Sequence, residues 1–354
     1  MRWVLAFLLG VAWNLSGTAG ALLSPVLFAI IAGRPARQRY LLAATYMLPA
    51  VASIVPSYQT FFSSIAGGAA VAVFAALVLA TPYIFVKDGK TAVLAAGITS
   101  ISILSPLSAA GWFFPNTGVV GVAMMIALIF SFAQRDLMFV LCALAAALCA
   151  NAAFVDRTAP PAGWVGVGTA GIQPAGGDFM REISNIEALP MKPGAVLVYP
   201  EAVLDDAEPG TLAAVRDRIP RGQTWLLGAE ANRHDSVWLF AAKKQPADVF
   251  DSAMPMPGTM VNPLDQHGYL PAWFEPAKTV AGRRVWAGIC FEQVLPAAWI
   301  EALAQRPDTL LLVSNDWWAK QGNPAPAIRD AQARAWVRLL NVPTVMSTNR
   351  AIHE

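Results

Sequence analysis

Acidic side chains are all but absent from the first 155 residues, where no glutamate and two aspartates, Asp88 and Asp136, stand against seven Lys/Arg. A water-soluble surface needs charge, and here the polar residues sit only between long apolar runs. The runs fall at roughly 3–17, 19–33, 40–56, 65–86, 91–109, 117–133 and 137–154. Most approach the ~20 residues that a helix needs to cross a bilayer. Small residues crowd "AGGAAVAVFAALVLA" (66–80), as expected where helices pack closely in lipid. A cleaved signal peptide would be one short run rather than seven. Cys142 and Cys149, seven apart on the last run, read as packing residues. The expectation is a transmembrane domain over 1–155 with about seven helices.

The cations give an orientation. Arg34, Arg37 and Arg39 lie between the second and third runs, Lys87 and Lys90 between the fourth and fifth, and Arg135 between the sixth and seventh. With Arg2 they share one set of ends. The alternate connections, "NLSGTAG", "PSYQTFF" and "GWFFPNTG", carry no charge. The positive-inside rule puts the N-terminus in the cytoplasm, and seven crossings carry residue 156 onward to the other side.

Residues 156–354 have the composition of a globular domain, with 18 Lys/Arg against 21 Asp/Glu, a net charge of −3. Short apolar strands are expected at "GAVLVYPE" (194–201), "TWLLGAE" (224–230), "SVWLFAA" (236–242), "RRVWAGIC" (283–290), "TLLLVSND" (309–316) and "PTVMSTN" (343–349). Helical stretches fall at 209–219, 296–305 and 325–340. The alternation predicts an α/β sheet covered by helices. Functional residues in such folds gather at the carboxyl ends of strands. Glu201, Cys290 and the pair Asn315-Asp316 each stand at such an end. Taken alone, Cys290 is either a small buried hydrophobe or a nucleophile presented by a turn.

"VLVYPEAVL" around Glu201, "AGICFEQ" around Cys290 and "LLLVSNDWWAKQGNPAPAIRDAQARAWVRLLNVPTVMSTNRA" resemble the carbon–nitrogen hydrolase (nitrilase) superfamily. Apolar spans ahead of such a domain resemble its apolipoprotein N-acyltransferase branch. "AWNLSGTAGALLSPVLFAI" and "GWFFPNTG" look closer still to TraB-type conjugal transfer proteins. The resemblance implies a nitrilase-like α-β-β-α sandwich over 156–354, on the periplasmic side of a bacterial inner membrane that the chain crosses several times. It also implies further strands and a closing span beyond residue 354.

The resemblance implies a Cys–Glu–Lys mechanism. Cys290 would attack an acyl carbon, Glu201 would act as general base, the Phe291 N–H would hold the oxyanion, and Glu292 would orient the site. The family lysine has no counterpart: its segment reads "DVFDSAMPMPGT" (248–259), with Asp251 and Ser252 near the expected place and Thr259 near a family glutamate. Lys243 and Lys244 read as a solvated pair, and Arg283 starts its strand at the far end. Lys320, after "SNDWWA", is the best substitute.

His234, His267 and His353 have no metal-ligand spacing, and no cofactor is expected. Trp273-Phe274 and Trp317-Trp318 fit either packing or a headgroup region. A domain of net charge −3 is a poor nucleic-acid binder. Two classes of function stand side by side. One is amide or acyl chemistry through a Cys290 thioester on a lipid, lipoprotein or peptide substrate, N-acyl transfer included. The other is a catalytically impaired accessory that binds proteins of a conjugative transfer apparatus. The topology is testable. A reporter active only outside the cytoplasm should be active when fused after residue 160 and inactive after Arg39, and the reverse result would overturn the span count.

Overall fold

The computed structural model describes residues 1–171, 193–204, 207–257, 260–261 and 268–351. Two compact units account for the chain. The first comprises 1–156, 294–303 and 318–341; the second comprises 157–293, 304–317 and 342–354. Two helical stretches from the C-terminal half thus belong with the N-terminal helices, an assignment that a single boundary near residue 155 does not contain.

In the first unit, helices follow the apolar runs but several are broken. The run 19–33 divides at Ser24-Pro25 into Gly17–Leu23 and Val26–Ile31. Helix Ala36–Ala50 is followed, at a 56° bend, by Ile54–Phe62, so the segment expected as the loop "PSYQTFF" is mostly helical. Gly89–Ile101 and Pro106–Phe113 meet at 89°, where Pro106 cannot continue a helix from the preceding turn. By length and composition Ile65–Phe85 can cross a membrane by itself, and three spans result if each bent pair forms one. The apolar helices Arg2–Leu15, Val119–Gln134 and Leu137–Ala152 are shorter. This differs from the seven spans expected, because hydropathy read along a run does not register a bend inside it.

Helix Ile65–Ala80 shows how the unit packs. Gly68, Ala72, Ala76 and Ala80, spaced four apart, are its buried face. Val71, Val73, Phe74, Leu77 and Val78 are exposed. The cation-bearing connections meet one another. Arg39 is buried, and its guanidinium donates to the carbonyls of Ile84 (2.7 Å) and Arg34 (2.5 Å). Arg135 donates to the Ala32 carbonyl (3.3 Å), and the Gly33 N–H donates to the Lys87 carbonyl (3.1 Å). Helix Ala325–Leu340 contacts the charge-free connections instead. The Asn116 N–H donates to the Arg338 carbonyl (2.8 Å), and the Ser108 hydroxyl donates to Gln332 (3.0 Å). Arg338 lies between the rings of Trp112 and Phe154, at 5.2 and 4.4 Å, and donates to Asn151 (2.9 Å).

The second unit contains two five-stranded sheets. The first runs β1 (Trp164–Gly166), β3 (Val196–Val198), β4 (Thr224–Ala231), β5 (His234–Ala241), β6 (Ala247–Asp251) in space. The second runs β2 (Thr169–Ala170), β10 (Thr344–Arg350), β9 (Thr309–Asp316), β8 (Arg283–Ile289), β7 (Lys278–Val280). β3 pairs in parallel with β4, and β9 with both β8 and β10. One core joins the two sheets, with Val198, Leu226, Val237 and Phe250 from the first against Val285, Ile289, Leu311, Val313 and Val345 from the second. Every residue of β9 is buried. The other face of the first sheet packs Leu197, Trp225, Leu227 and Phe240 against Val215 of helix Pro209–Arg218. The expected strands and the three expected helices of this half are all observed. β1, β2 and β7, two or three residues long, and β6, five residues long, are additional.

Gly111 is the closest approach in the first unit, since a Cβ there would overlap the Ala335 carbonyl of helix Ala325–Leu340. Gly111→Leu should lower stability by about 1–3 kcal/mol or more through overpacking. Gly97→Ala, where a Cβ meets nothing within 4 Å, should be neutral or raise it. Thermal unfolding of the two variants checks the contrast.

Candidate functional site

β8 runs apolar into the core and ends at Ile289. The next residue, Cys290, has φ 47°, in the left-handed region, and opens a 3₁₀ turn, Cys290–Val294. A non-glycine residue costs roughly 1–2 kcal/mol there, so neighbouring bonds must hold the turn. Gln293, buried, donates through Nε2 to the Gly288 carbonyl (3.1 Å) and the Val313 carbonyl (2.8 Å). Glu292, also buried, accepts the Ile289 N–H on Oε2 (3.2 Å), and on Oε1 the Ser252 hydroxyl (2.6 Å) and the Met254 N–H (3.2 Å). Cys290 itself is half-buried against the core between the sheets.

Glu201 follows β3 by three residues and is 4% exposed. Its turn lies directly on β4. The Gly228 N–H donates to the Pro200 carbonyl (3.1 Å), and the Gly228 carbonyl accepts the N–H groups of Val203 and Leu204 (both 3.1 Å). A Cβ on Gly228 would stand 2.5 Å from the Glu201 Cα, so only glycine permits this approach. Glu201 Oε2 accepts the Asn315 N–H from the end of β9 (2.8 Å). The Asn315 side-chain oxygen accepts from Asn349 Nδ2 (2.7 Å) and the Trp317 N–H (3.3 Å). Asn349 is in turn held by the Thr169 hydroxyl (3.0 Å).

Asp235, on β5, did not emerge from sequence reasoning. It is 1% exposed and hydrogen-bonded side chain to side chain with Glu201. Its carboxyl is held well above the usual range, by burial first and then by the charge of Glu201, with Glu230 and Glu292 adding. Glu230 pairs with Asp235 across the β4–β5 ladder and bonds the Tyr269 hydroxyl, whose pKa is raised by burial and then by that carboxylate. Asp235 shares a strand face with Val237, a core residue, because alternate side chains point the same way. An acid on the apolar face of a strand was the signal available.

Other candidates are placed as follows. Phe291 is half-buried beside Cys290. Asp251 accepts the Ser236 hydroxyl (2.5 Å), while Ser252 belongs to Glu292. Lys243 and Lys244 are exposed between β5 and β6, and Arg283, at the start of β8, donates to Thr309 (2.6 Å). Lys320 is exposed in the turn between Trp318 and Asn323, within the first unit. His234 opens β5 with Nδ1 buried. Thr259, His267 and His353 lie outside the described residues. Among the described residues, no three His, Cys, Asp or Glu side chains are arranged to hold a metal ion.

The chain is similar to conjugal transfer protein TraB. With that protein from Agrobacterium fabrum it shares 28% identity over 260 residues, 69% of this chain and 61% of the relative. With a probable conjugal transfer protein TraB from Sinorhizobium fredii it shares 30% over 126 residues, 34% of this chain and 32% of the relative. The chain thus spans less than two thirds of either relative's length. Among solved structures, a mutant of the amidase from Nesterenkonia sp. AN1, with acrylamide added at the active-site cysteine, aligns at 14% identity and a TM-score of 0.33. That alignment covers 52% of this chain and 77% of the amidase. No protein-family model matches the chain.

Glu292 makes the site sensitive to pH. Burial pushes its carboxyl from 4.5 to about 7, against the four hydrogen bonds it accepts. A raised folded pKa contributes stability at low pH that is lost as pH rises from about 4.5 through about 7, at most roughly 3 kcal/mol. The thermal midpoint of the full chain should therefore fall over this window. Glu292→Gln should flatten the slope, and an unchanged slope in that variant would remove Glu292 as its source.

Proposed function

We propose that the chain is a multi-pass inner-membrane protein of the conjugal transfer TraB type whose periplasmic nitrilase-like domain cleaves or transfers an acyl group through Cys290. The observation that carries this reading is the strained Cys290 turn, held in place by buried carboxylate and amide contacts, in a unit where Glu201 ends the neighbouring sheet's strand turn. The left-handed turn takes Cys290 off the end of β8, a presentation that suits a nucleophile. The exposed apolar face of Ile65–Ala80, the meeting of the cation-bearing connections and the similarity to conjugal transfer proteins support the membrane and transfer parts of the reading.

The chemistry follows from the residue types. As Cys290 Sγ bonds the acyl carbon, its proton passes to Glu201 and the carbonyl oxygen takes the negative charge, facing the Phe291 N–H. Collapse of that adduct breaks the bond to the leaving amine or alkoxide, which takes the proton from Glu201, and a thioester remains on Cys290. Water or an amine then attacks the thioester while Glu201 takes its proton, and the thiol is restored. An amine acceptor makes this N-acyl transfer, as in the apolipoprotein acyltransferases; water makes it hydrolysis. Lys320 is the candidate cation for the oxyanion. Lipid, lipoprotein or peptide amides are the substrates that suit a domain beside a bilayer.

A second reading has one observation in its favour: the segment expected to carry the family lysine carries Asp251 and Ser252 instead, and Ser252 is committed to Glu292. On this reading the chain is an accessory that binds other conjugative transfer proteins. Intact mass after exposure to an activated acyl ester separates the two, in a Cys142→Ala/Cys149→Ala background because both residues are exposed. The enzyme reading expects an adduct on Cys290, slowed by Lys320→Ala and slowed about 10²–10⁴-fold by Glu201→Gln. Labelling no faster than an ordinary thiol would favour the accessory.

A further inference from the structure

We propose that Glu201 and Asp235 share a single proton, carried by Asp235, which makes Asp235 the positioning residue that presents Glu201 as a carboxylate. This deepens the role of Glu201 given above and rests on that reading for its catalytic meaning. The shared proton itself stands on the burial and placement of the two carboxyls and on the partners around them.

Both side chains are buried, at 4% and 1% exposure, and the fold brings them together. The Glu201 Cα stands over Gly228 of β4, whose ladder partner Val237 shares a strand face with Asp235, and the two carboxyls are hydrogen-bonded to each other. An ionised carboxylate only accepts hydrogen bonds, so a bond between two carboxyl groups requires a proton on one of them. The surrounding partners decide which. Glu201 Oε2 already accepts the Asn315 N–H at 2.8 Å, and a backbone donor favours the charged form. Asp235 Oδ1 is buried and has no hydrogen-bond partner among the described residues, a position that disfavours charge. The groups that act on Asp235 are Glu201 from the turn after β3, Glu230 from β4 and Glu292 from the turn after β8. Tyr269 bonds Glu230, and His234 precedes Asp235 on β5. The three charged neighbours are all acidic, and each further negative charge favours a neutral Asp235.

The pairing has a chemical consequence. An ionised Asp235 would repel the negative charge on Glu201 and draw the proton to the base, leaving it unable to accept one from a thiol. A neutral Asp235 donates its O–H to Glu201 and, with the Asn315 N–H, fixes the carboxylate from two sides. Asn reproduces the neutral donor; Leu removes it.

Infrared spectra of the purified full chain at neutral pH test the proton directly. The expected result, in a Glu292→Gln background that removes the carboxyl raised to about 7, is a protonated-carboxyl C=O band that is lost when Asp235→Asn is added. Cys290 labelling by the acyl ester should survive in Asp235→Asn, with a shifted pH profile because the proton is no longer titratable, and should be lost in Asp235→Leu. Absence of the band, or a band that persists in Asp235→Asn, overturns the proposal, as does an unshifted pH profile. If the band behaves as expected but Glu201→Gln labels as fast as the unmodified chain, the shared proton is upheld and the base role of Glu201 falls.

Discussion

The hydrogen bond from the Asn315 N–H to Glu201 is the contact on which the arrangement of the site depends. It ties the turn that leaves one sheet to the last residues of the central strand of the other. Glu292 does the same from the opposite direction, since its carboxyl sits on the Cys290 turn of the second sheet and accepts Ser252 from the end of the first. Apolar packing between sheets fixes their spacing but tolerates sliding, because the hydrophobic effect is non-directional. Two buried carboxylates with short directional bonds supply the register that the core lacks. Their desolvation is offset by backbone donors, and the residual cost appears as the raised pKa of Glu292.

Much of this fold was legible in the sequence because apolar period and turn residues agree locally. The strands around Glu201, Cys290 and Asn315 stand where their apolar runs stand, and helix Ala325–Leu340 keeps its expected bounds. The strand containing Asp235 shows where legibility ends. Reading it from Ser236 leaves the aspartate in a loop, whereas the ladder extends to His234. An acid at a strand start is ordinarily a solvent-facing residue, and only the arrival of Glu201 from another strand makes it an interior one. Glu292 and Ser252, 40 residues apart, meet for a similarly nonlocal reason. Composition could not locate the bends in the apolar half either, because a proline or glycine changes mean hydropathy little and chain direction a great deal.

The apolar unit uses its few polar groups economically. Arg39 places its donors on the carbonyls of Ile84 and Arg34, pairing backbone groups that burial would otherwise leave without a partner. At the charge-free connections the Asn151 amide donates to the carbonyls of Trp112 and Phe113, and its oxygen accepts from Arg338, whose guanidinium lies over the rings of Trp112 and Phe154. Cation–π contact of this kind adds to the attraction of Asp156 for the guanidinium.

The left-handed backbone at Cys290 carries an implication for how such a chain drifts. Glycine would relax that position, and asparagine would relax it in part, so folding alone would favour either over cysteine there. Eleven other non-glycine residues among those described also have positive φ, so the strain by itself marks no role; under the acyl-transfer reading it would turn the identity of this residue into a record of use. On that reading, loss of activity would be written first at position 290, as a small residue in an otherwise intact turn.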